Sequence, residues 1–364
     1  GLAAAIRLKQ LAAEKNQSMH VCIIDKGAQV GAHILSGAVL EPRSLQALLP
    51  DTWREAPLDS PVTSDNFYYL NEKKAYRLPT PAPMKNHGNY IISLGELCQF
   101  LAQQAEALGC ELYPGFAATE ILYDKDEEVI GVATGAMGIG KNGEHTENYQ
   151  PGMKLHAKQT FFAEGCRGQL SEELMKRFQL RQGVQPQTYG LGIKELWQIP
   201  AEKHRHGQVI HTVGWPLDKA TYGGSFVYHL SNNRVAVGFV VGLDYKNTWL
   251  NPFAELQRFK LHPLMSDMLS GGERIGYGAR ALNEGGWQSM PKLTFPGGVL
   301  IGDAAGFLNV PRIKGIRTAM QSGMIGAEVC FTELTREQPN MQLELIPYSN
   351  KLKQSWVGEE LYKV

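Results

Sequence analysis

Two aspartates, Asp25 and Asp303, each end an apolar run in glycine-rich surroundings. Such a pairing suits a ligand with ribose hydroxyls and phosphates. His20-Val21-Cys22-Ile23-Ile24-Asp25-Lys26 reads as a short buried strand closing on a carboxylate, and Gly1 opens a run of small and apolar residues, Leu2 to Ala13, that reads as a helix. Helix, strand and acid in this order form the second half of a dinucleotide-binding βαβ unit. There the last glycine of a G-x-G-x-x-G loop starts the helix, and an acid about 20 residues on binds the ribose hydroxyls. Gly1 and Asp25 fit those two roles, which places the first strand and first two glycines ahead of residue 1. An ordinary helix–strand segment ending in a surface Asp fits this stretch equally well.

Gly297-Gly298-Val299-Leu300-Ile301-Gly302-Asp303-Ala304-Ala305-Gly306 is a second apolar strand, here running into a Gly-Asp turn. A helix is expected after it, with a face of Ala319, Ser322, Gly323, Gly326 and Ala327 small enough for backbone or cofactor to approach. Free amides and the dipole at such a helix start suit phosphate and flavin oxygens. Thr160-Phe161-Phe162-Ala163-Glu164-Gly165-Cys166-Arg167-Gly168 is a third strand entering a glycine turn. The Gly-Asp turn and this segment are similar to elements of FAD enzymes of the p-hydroxybenzoate hydroxylase type, in which the Asp binds the ribityl chain. The distance in sequence from Asp25 to Asp303 implies an inserted domain.

That insertion is legible. From about Tyr189 to Tyr245 the pattern turns to short alternating runs, Gly190–Trp197, Gln208–Trp215, Ser225–Leu230 and Arg234–Gly242, bounded by Gly, Asn and Pro, which read as antiparallel strands. A chain of 364 residues is long enough for two interleaved domains. Its 36 basic and 36 acidic side chains cancel with no long like-charged block, which argues against nucleic acid as a partner. No apolar run is long enough to span a bilayer. Cys22, Cys98, Cys110, Cys166 and Cys330 include no C-x-x-C pair, which argues against a zinc or iron–sulfur site built from them and for a reducing compartment. Cys22 in its strand and Cys330 on its helix are expected to be core thiols.

The wording of the strands carries a further resemblance. His211-Thr212-Val213-Gly214-Trp215-Pro216-Leu217-Asp218, Thr221-Tyr222-Gly223-Gly224-Ser225-Phe226 and Gly238-Phe239-Val240-Val241-Gly242-Leu243-Asp244-Tyr245 resemble the quinone domain of the electron-transfer flavoprotein:ubiquinone oxidoreductase family. Strings on both sides are similar to it as well: Gly31-Ala32-His33-Ile34-Leu35-Ser36-Gly37, Lys85-Asn86-His87-Gly88-Asn89-Tyr90, Pro186-Gln187-Thr188-Tyr189-Gly190, Gly278 to Gly286, and Asn309-Val310-Pro311-Arg312-Ile313-Lys314-Gly315.

The resemblance implies an α/β fold: a p-hydroxybenzoate hydroxylase/glutathione reductase-like, Rossmann-type FAD-binding domain, truncated at its first strand, with an inserted antiparallel-sheet quinone-binding domain. The expected division is 1–75, 96–185 and 276–335 for the FAD domain, and 76–95 with 186–275 for the ubiquinone domain. Residues 336–364 would begin the C-terminal region. It further implies an enzyme taking electrons from reduced electron-transfer flavoprotein through FAD to ubiquinone, at the matrix face of the mitochondrial inner membrane or the cytoplasmic face of a bacterial one. The family's 4Fe–4S cluster lies on C-terminal cysteines beyond Val364, so no metal is expected here.

On the family pattern FAD would be held by Gly1, Asp25, Lys26, Gly31, Ala32, His33, Ser36, Gly37, Gly165, Gly302, Asp303, Gly306, Asn309, Lys314 and Gly315. The quinone would meet Tyr222, Gly223 and Gly224, whose glycines can offer unobstructed amides; a tight hairpin turn is the plainer explanation of that triplet. Leu78-Pro79-Thr80-Pro81-Ala82-Pro83-Met84 is a proline-rich apolar loop, in the family a shallow membrane contact. No acid, base or nucleophile is assigned; His33, His87, His211 and His229 are possible proton relays, though strand histidines more often serve structure. The chain departs from the family at Ile316-Arg317, where Thr-His is expected, and at Ala136, where an Asp is expected; Arg317 would then offset a lost hydroxyl beside the flavin. A flavin monooxygenase or isoprenoid reductase of the same fold, and an inactive fragment, are the competing readings.

Overall fold

A computed structural model describes residues 1–35, 37–58, 60–336 and 343–364. α1 (Leu2–Glu14) turns its small residues inward, burying Ala3, Ala4, Ala5, Ile6, Leu8 and Ala12. The chain enters β1 (Cys22–Asp25), passes α2 (Arg43–Leu48), and makes a hairpin of β2 (Ser64–Leu70) and β3 (Ala75–Leu78). α3 (Leu94–Ala107) is capped by Ser93, whose hydroxyl accepts the Glu96 amide. It returns the chain to β4 (Glu111–Pro114), which lies parallel to β1 with Cys22 opposite Glu111. Asp25 thus ends a strand of a parallel pair.

After a small three-stranded antiparallel sheet, β5 (Thr160–Phe162) runs into the Gly165 turn and α4 (Gln169–Arg177). Glu164 caps that helix, accepting from the Leu170 and Ser171 amides and the Ser171 hydroxyl. The inserted part follows as β6 (Tyr189–Gln198), β7 (Gln208–Gly214), β8 (Gly223–His229), β9 (Arg234–Gly242), α5 (Pro252–Leu261), α6 (Pro263–Leu269) and β10 (Glu273–Asn283). β11 (Thr294–Phe295) and β12 (Gly298–Leu300) rejoin the first part, with β12 parallel to β5. α7 (Ile316–Leu334), α8 (Pro347–Gln354) and α9 (Trp356–Tyr362) complete the chain described.

The inserted strands form one seven-stranded sheet in the order β10-β6-β9-β8-β7-β2-β3, antiparallel except for the β7–β2 pair. α5 and α6 cover one face through Leu256, Phe259, Met265 and Leu269, packed on Val237, Phe239 and Val241. Glu195 on β6 is buried beneath them. It is held by Lys260 at 2.9 Å, Arg274 at 3.3 Å and the Trp197 indole N–H at 2.8 Å, so the ion is paired on every side.

Two expectations are corrected. β2 was assigned to the FAD-binding part within residues 1–75, but its backbone pairs with β7, so the hairpin at 64–78 belongs to the large sheet. Cys22 is exposed rather than a core thiol; among the described residues β1 pairs with β4 alone. The helix expected after the Gly-Asp turn is α7, which begins at Ile316 and carries Ala319, Ser322, Gly323, Gly326 and Ala327. Its small face is filled by protein: Gly323 lies against Ala4 of α1, Gly326 against Phe161 and Ile301, and the Ser322 hydroxyl accepts the Gly302 amide at 2.9 Å.

Candidate functional site

The Gly302–Gly306 turn follows β12 as a single 3-10 turn, so Asp303 is placed by an apolar strand buried on both sides. Its main-chain carbonyl accepts the Asn283 amide at 2.6 Å, while its side-chain Oδ1 is buried with no partner. Burial pushes the Asp303 carboxyl up to about 7, against the pull of Arg280 and Asn283. A buried acceptor left unpaired is costly. Hydroxyl donors from a ribose or ribityl chain would satisfy it.

Around Asp303 the inserted sheet and the turn interlock. Gln187 accepts the Gly285 amide at 2.7 Å and its amide nitrogen lies against Gly306, while the Cys166 thiol meets Asn283 Oδ1 at 3.2 Å. The same burial, with Asp303 adding to it, lifts the Cys166 thiol to about 12, so it stays protonated. A Cβ on Gly165 would stand 3.9 Å from the exposed Arg280 guanidinium, which has no ion-pair partner among the described residues.

The Gly31–Gly37 loop closes a second side. Gly31 meets the Gly95 backbone at the start of α3, and Ala32 and His33 are exposed. A Cβ on Gly37, at φ +101°, would stand 2.1 Å from that of Ala236, so only glycine lets the loop reach the large sheet. Lys194 on β6 donates to the Gly37 carbonyl at 3.0 Å, and burial lowers it to about 8 with Arg280 contributing. Ser36 lies outside the described residues. Asp25, at the tip of β1, accepts the Gly27 amide at 2.6 Å, and Lys26 follows it as an exposed residue. Gly1 caps α1, and its amino group and Asp25 both act on the Cys98 thiol, which brings the two together.

A third side is the Asn309–Gly315 bend, tied by the paired backbones of Asn309 and Lys314. Lys314 is buried. Its ammonium donates to Asn86 Oδ1 at 2.7 Å and to the Arg312 carbonyl at 3.2 Å, and burial lowers it to about 8. Asn86 in turn donates to Asp65 at 2.6 Å, so the Lys85–Tyr90 string is a bracket for this cation. Gly315 caps α7 against Leu308.

Arg317 does not face this site. It is 1% exposed and lies between Glu41 and Glu360, with its guanidinium 4.8 Å from the Trp356 ring centre. Its charge is shared by these two carboxylates. Ile316 packs on the α1–α3 core instead.

On the large sheet, Tyr222 is 56% exposed and precedes Gly223 and Gly224, which open β8 opposite Val241 and Val240. The triplet is a strand entry, not a hairpin tip. His211 meets the Tyr228 hydroxyl at 3.1 Å, and burial drives both His211 and His229 down to about 3. Both stay neutral near pH 7 and are structural; His33 and His87 are exposed. Asn283, Gln187, Asn86 and Asp65 were not foreseen as site residues. The signal for Asn283, Gln187 and Asn86 was the resemblance of the strings containing them, which carried no role for each; Asp65 lies in none of those strings.

The fold is that of glutathione reductase-like FAD-binding oxidoreductases. A geranylgeranyl bacteriochlorophyll reductase-like protein from Thermoplasma acidophilum superposes with a TM-score of 0.73 at 18% identity, covering 97% of this chain and 80% of the other. A flavin-dependent brominase gives 0.66 at 15%, covering 97% and 82%. Residues 189–282 match the family described as "ETF-QO, ubiquinone-binding". The whole chain aligns at 55% identity with the mitochondrial electron transfer flavoprotein-ubiquinone oxidoreductase of Bos taurus, covering 60% of it, and at 53% with that of Arabidopsis thaliana, covering 57%. Along its whole length the chain is similar to electron transfer flavoprotein–ubiquinone oxidoreductases. It spans about 60% of the length of such relatives.

Proposed function

We propose that this chain carries the flavin and quinone sites of an oxidoreductase that takes electrons from reduced electron-transfer flavoprotein and passes them through FAD to ubiquinone. One observation carries the reading: the segment 189–282, matched to the ubiquinone-binding family, ends one residue before Asn283, which grips the Gly302–Gly306 turn. The sheet bearing Tyr222–Gly224 and the turn bearing Asp303 are thereby joined by a direct hydrogen bond.

FAD, when bound, supplies the redox chemistry. The residues present fit it. Asp303 offers a buried, unpaired acceptor to ribityl hydroxyls, and Asp25 an acceptor to ribose hydroxyls. Lys194, Arg280 and Lys314 bring positive charge to the walls of the site, which favours an anionic ring system, while the Gly31–Gly37, Gly165 and Asn309–Gly315 loops shape it. Tyr222, Gly223 and Gly224 orient the quinone. Leu78, at 40% exposed, and the exposed Pro79, Pro81 and Pro83 form the membrane-facing loop; no helix among the described residues is long and apolar enough to cross a bilayer. The 4Fe–4S cluster belongs to the longer parent protein, at a membrane periphery.

Purified protein supplied with FAD should show a bound flavin spectrum and turn over with a ubiquinone analogue while ignoring NADH and NADPH. Nicotinamide oxidation without quinone turnover would favour a monooxygenase or isoprenoid reductase instead.

A further inference from the structure

Glu284 is a partly buried carboxylate beside the Tyr222 end of the large sheet, with one oxygen unpaired. It follows the last residue of β10, and its backbone amide donates to the Thr188 carbonyl at 2.8 Å. Its side chain folds flat over Gly190. A Cβ on Gly190 would stand 2.5 Å from Oε1, 2.7 Å from the carboxyl carbon and 2.8 Å from Oε2, so the carboxyl has its place only because residue 190 is glycine. Oε2 is buried and has no hydrogen-bond partner.

Register places this carboxyl beside the quinone contact. Gly190 on β6 is paired with Gly242 on β9, and directly paired residues present the same face of a sheet. A Cβ on Gly242 would meet Asp244 Oδ1 at 3.0 Å and the Tyr222 ring at 3.2 Å, and the Gly242 amide donates to the Tyr222 carbonyl at 2.9 Å. Glu284, Asp244 and Tyr222 therefore stand on one face across two glycines, with Tyr222 and Asp244 open to solvent. An unpaired carboxyl oxygen next to an exposed aromatic ring is arranged to meet an oxygen of a bound ligand.

We propose that Glu284 is the proton donor to the quinone held at Tyr222–Gly224. The inference rests on the quinone reading of this sheet. Reduction of a quinone to its quinol takes two electrons, here from the reduced electron-transfer flavoprotein, and two protons. Glu284 gives one of those protons to a quinone oxygen: its O–H bond breaks, the new quinol O–H forms, and the carboxylate left behind is reprotonated from water by way of Asp244. The charged and titratable groups set against it are Asp244, from the segment after β9, and Tyr222, from the approach to β8. Burial first, and Asp244 second, raise the Glu284 carboxyl to about 7, so the acid form is present at neutral pH. Glu284 in turn raises the Tyr222 phenol beyond what burial does, so Tyr222 stays protonated and cannot serve as the base.

The test uses the FAD-loaded protein, a ubiquinone analogue, and ferricyanide as an acceptor that takes electrons without protons. In the unsubstituted protein, quinone turnover should fall as pH rises through about 7. Glu284→Gln should lower the ratio of quinone to ferricyanide turnover by at least about tenfold, in line with a lost general acid, and abolish that limb of the pH profile. Glu284→Asp should restore part of the ratio, and Gly190→Ala, which drives the carboxyl from its seat, should mimic Glu284→Gln. Infrared titration should show a carboxyl C=O band, absent in Glu284→Gln, that disappears over the same pH range. An unchanged ratio and pH profile in Glu284→Gln overturns this inference alone; a lack of quinone turnover in the unsubstituted protein overturns the functional reading and the inference with it.

Discussion

Asp303→Asn should make the flavin-free protein more stable and the flavin-binding protein worse. The carboxyl titrates at about 7 rather than 3.8, because its buried oxygen lacks a partner. A pKa raised on folding contributes stability that is full below the unfolded value and is lost as pH rises through the folded one. From 3.8 to about 7 the loss is roughly 4–5 kcal/mol at about 1.4 kcal/mol per pH unit, an upper figure because water entering the site reduces it. Asparagine carries no charge to desolvate. Removal of the carboxylate should therefore raise the melting temperature of the flavin-free protein at about pH 8 by roughly 5–15 °C, at about 2–4 °C per kcal/mol. Near pH 4 the gain should vanish. Flavin affinity should drop about 10- to 100-fold, as expected when a hydrogen bond to a charged acceptor is weakened. Thermal unfolding followed by circular dichroism across pH, with flavin fluorescence titration, measures both. Equal melting temperatures at pH 8, or undiminished flavin binding, would refute the assignment of Asp303 as a strained ligand acceptor.

Lys314→Met removes the buried cation bracketed by Asn86 and should shift the flavin midpoint potential to a more negative value in a redox titration, since a reduced, anionic ring loses one of the positive charges on the walls of its site. Arg317→Met leaves Glu41 and Glu360 with only the more exposed Arg312 as their shared counter-ion; denaturant unfolding should show a loss of about 1–3 kcal/mol, with little change in flavin potential. Native-state labelling should modify Cys22 ahead of Cys110 and Cys330, as mass spectrometry of peptides would show, and slowly near neutral pH because burial and Glu111 raise its thiol.

Much of the architecture was legible because it is periodic. Alternation from Gly190 to Gly242 marked β6 to β9, and the helix–strand–acid order at residues 1–25 marked α1 and β1. What failed is long-range. Nothing local tells β2 to pair with β7 almost 150 residues away, and the apolar string around Cys22 cannot reveal that its strand has one neighbour instead of two. Arg317 was placed at the flavin by its nearness to Gly315 in sequence, yet a helix start turns successive side chains about 100° apart, and Glu41 and Glu360 claim the charge. Asn283 and Glu284 share the same limitation. They are neighbours at the end of a strand, and the fold sends one to the Asp303 turn and the other across Gly190.

The central claim is that this chain joins a flavin site to a quinone site. Anaerobic visible spectroscopy of the FAD-loaded protein tests it most directly. Reduced electron-transfer flavoprotein, or a photochemical reductant in its place, should bleach the flavin bands, and a short-chain ubiquinone added without oxygen should restore them. Failure to retain flavin, or a bleached flavin that quinone leaves reduced, would contradict the account.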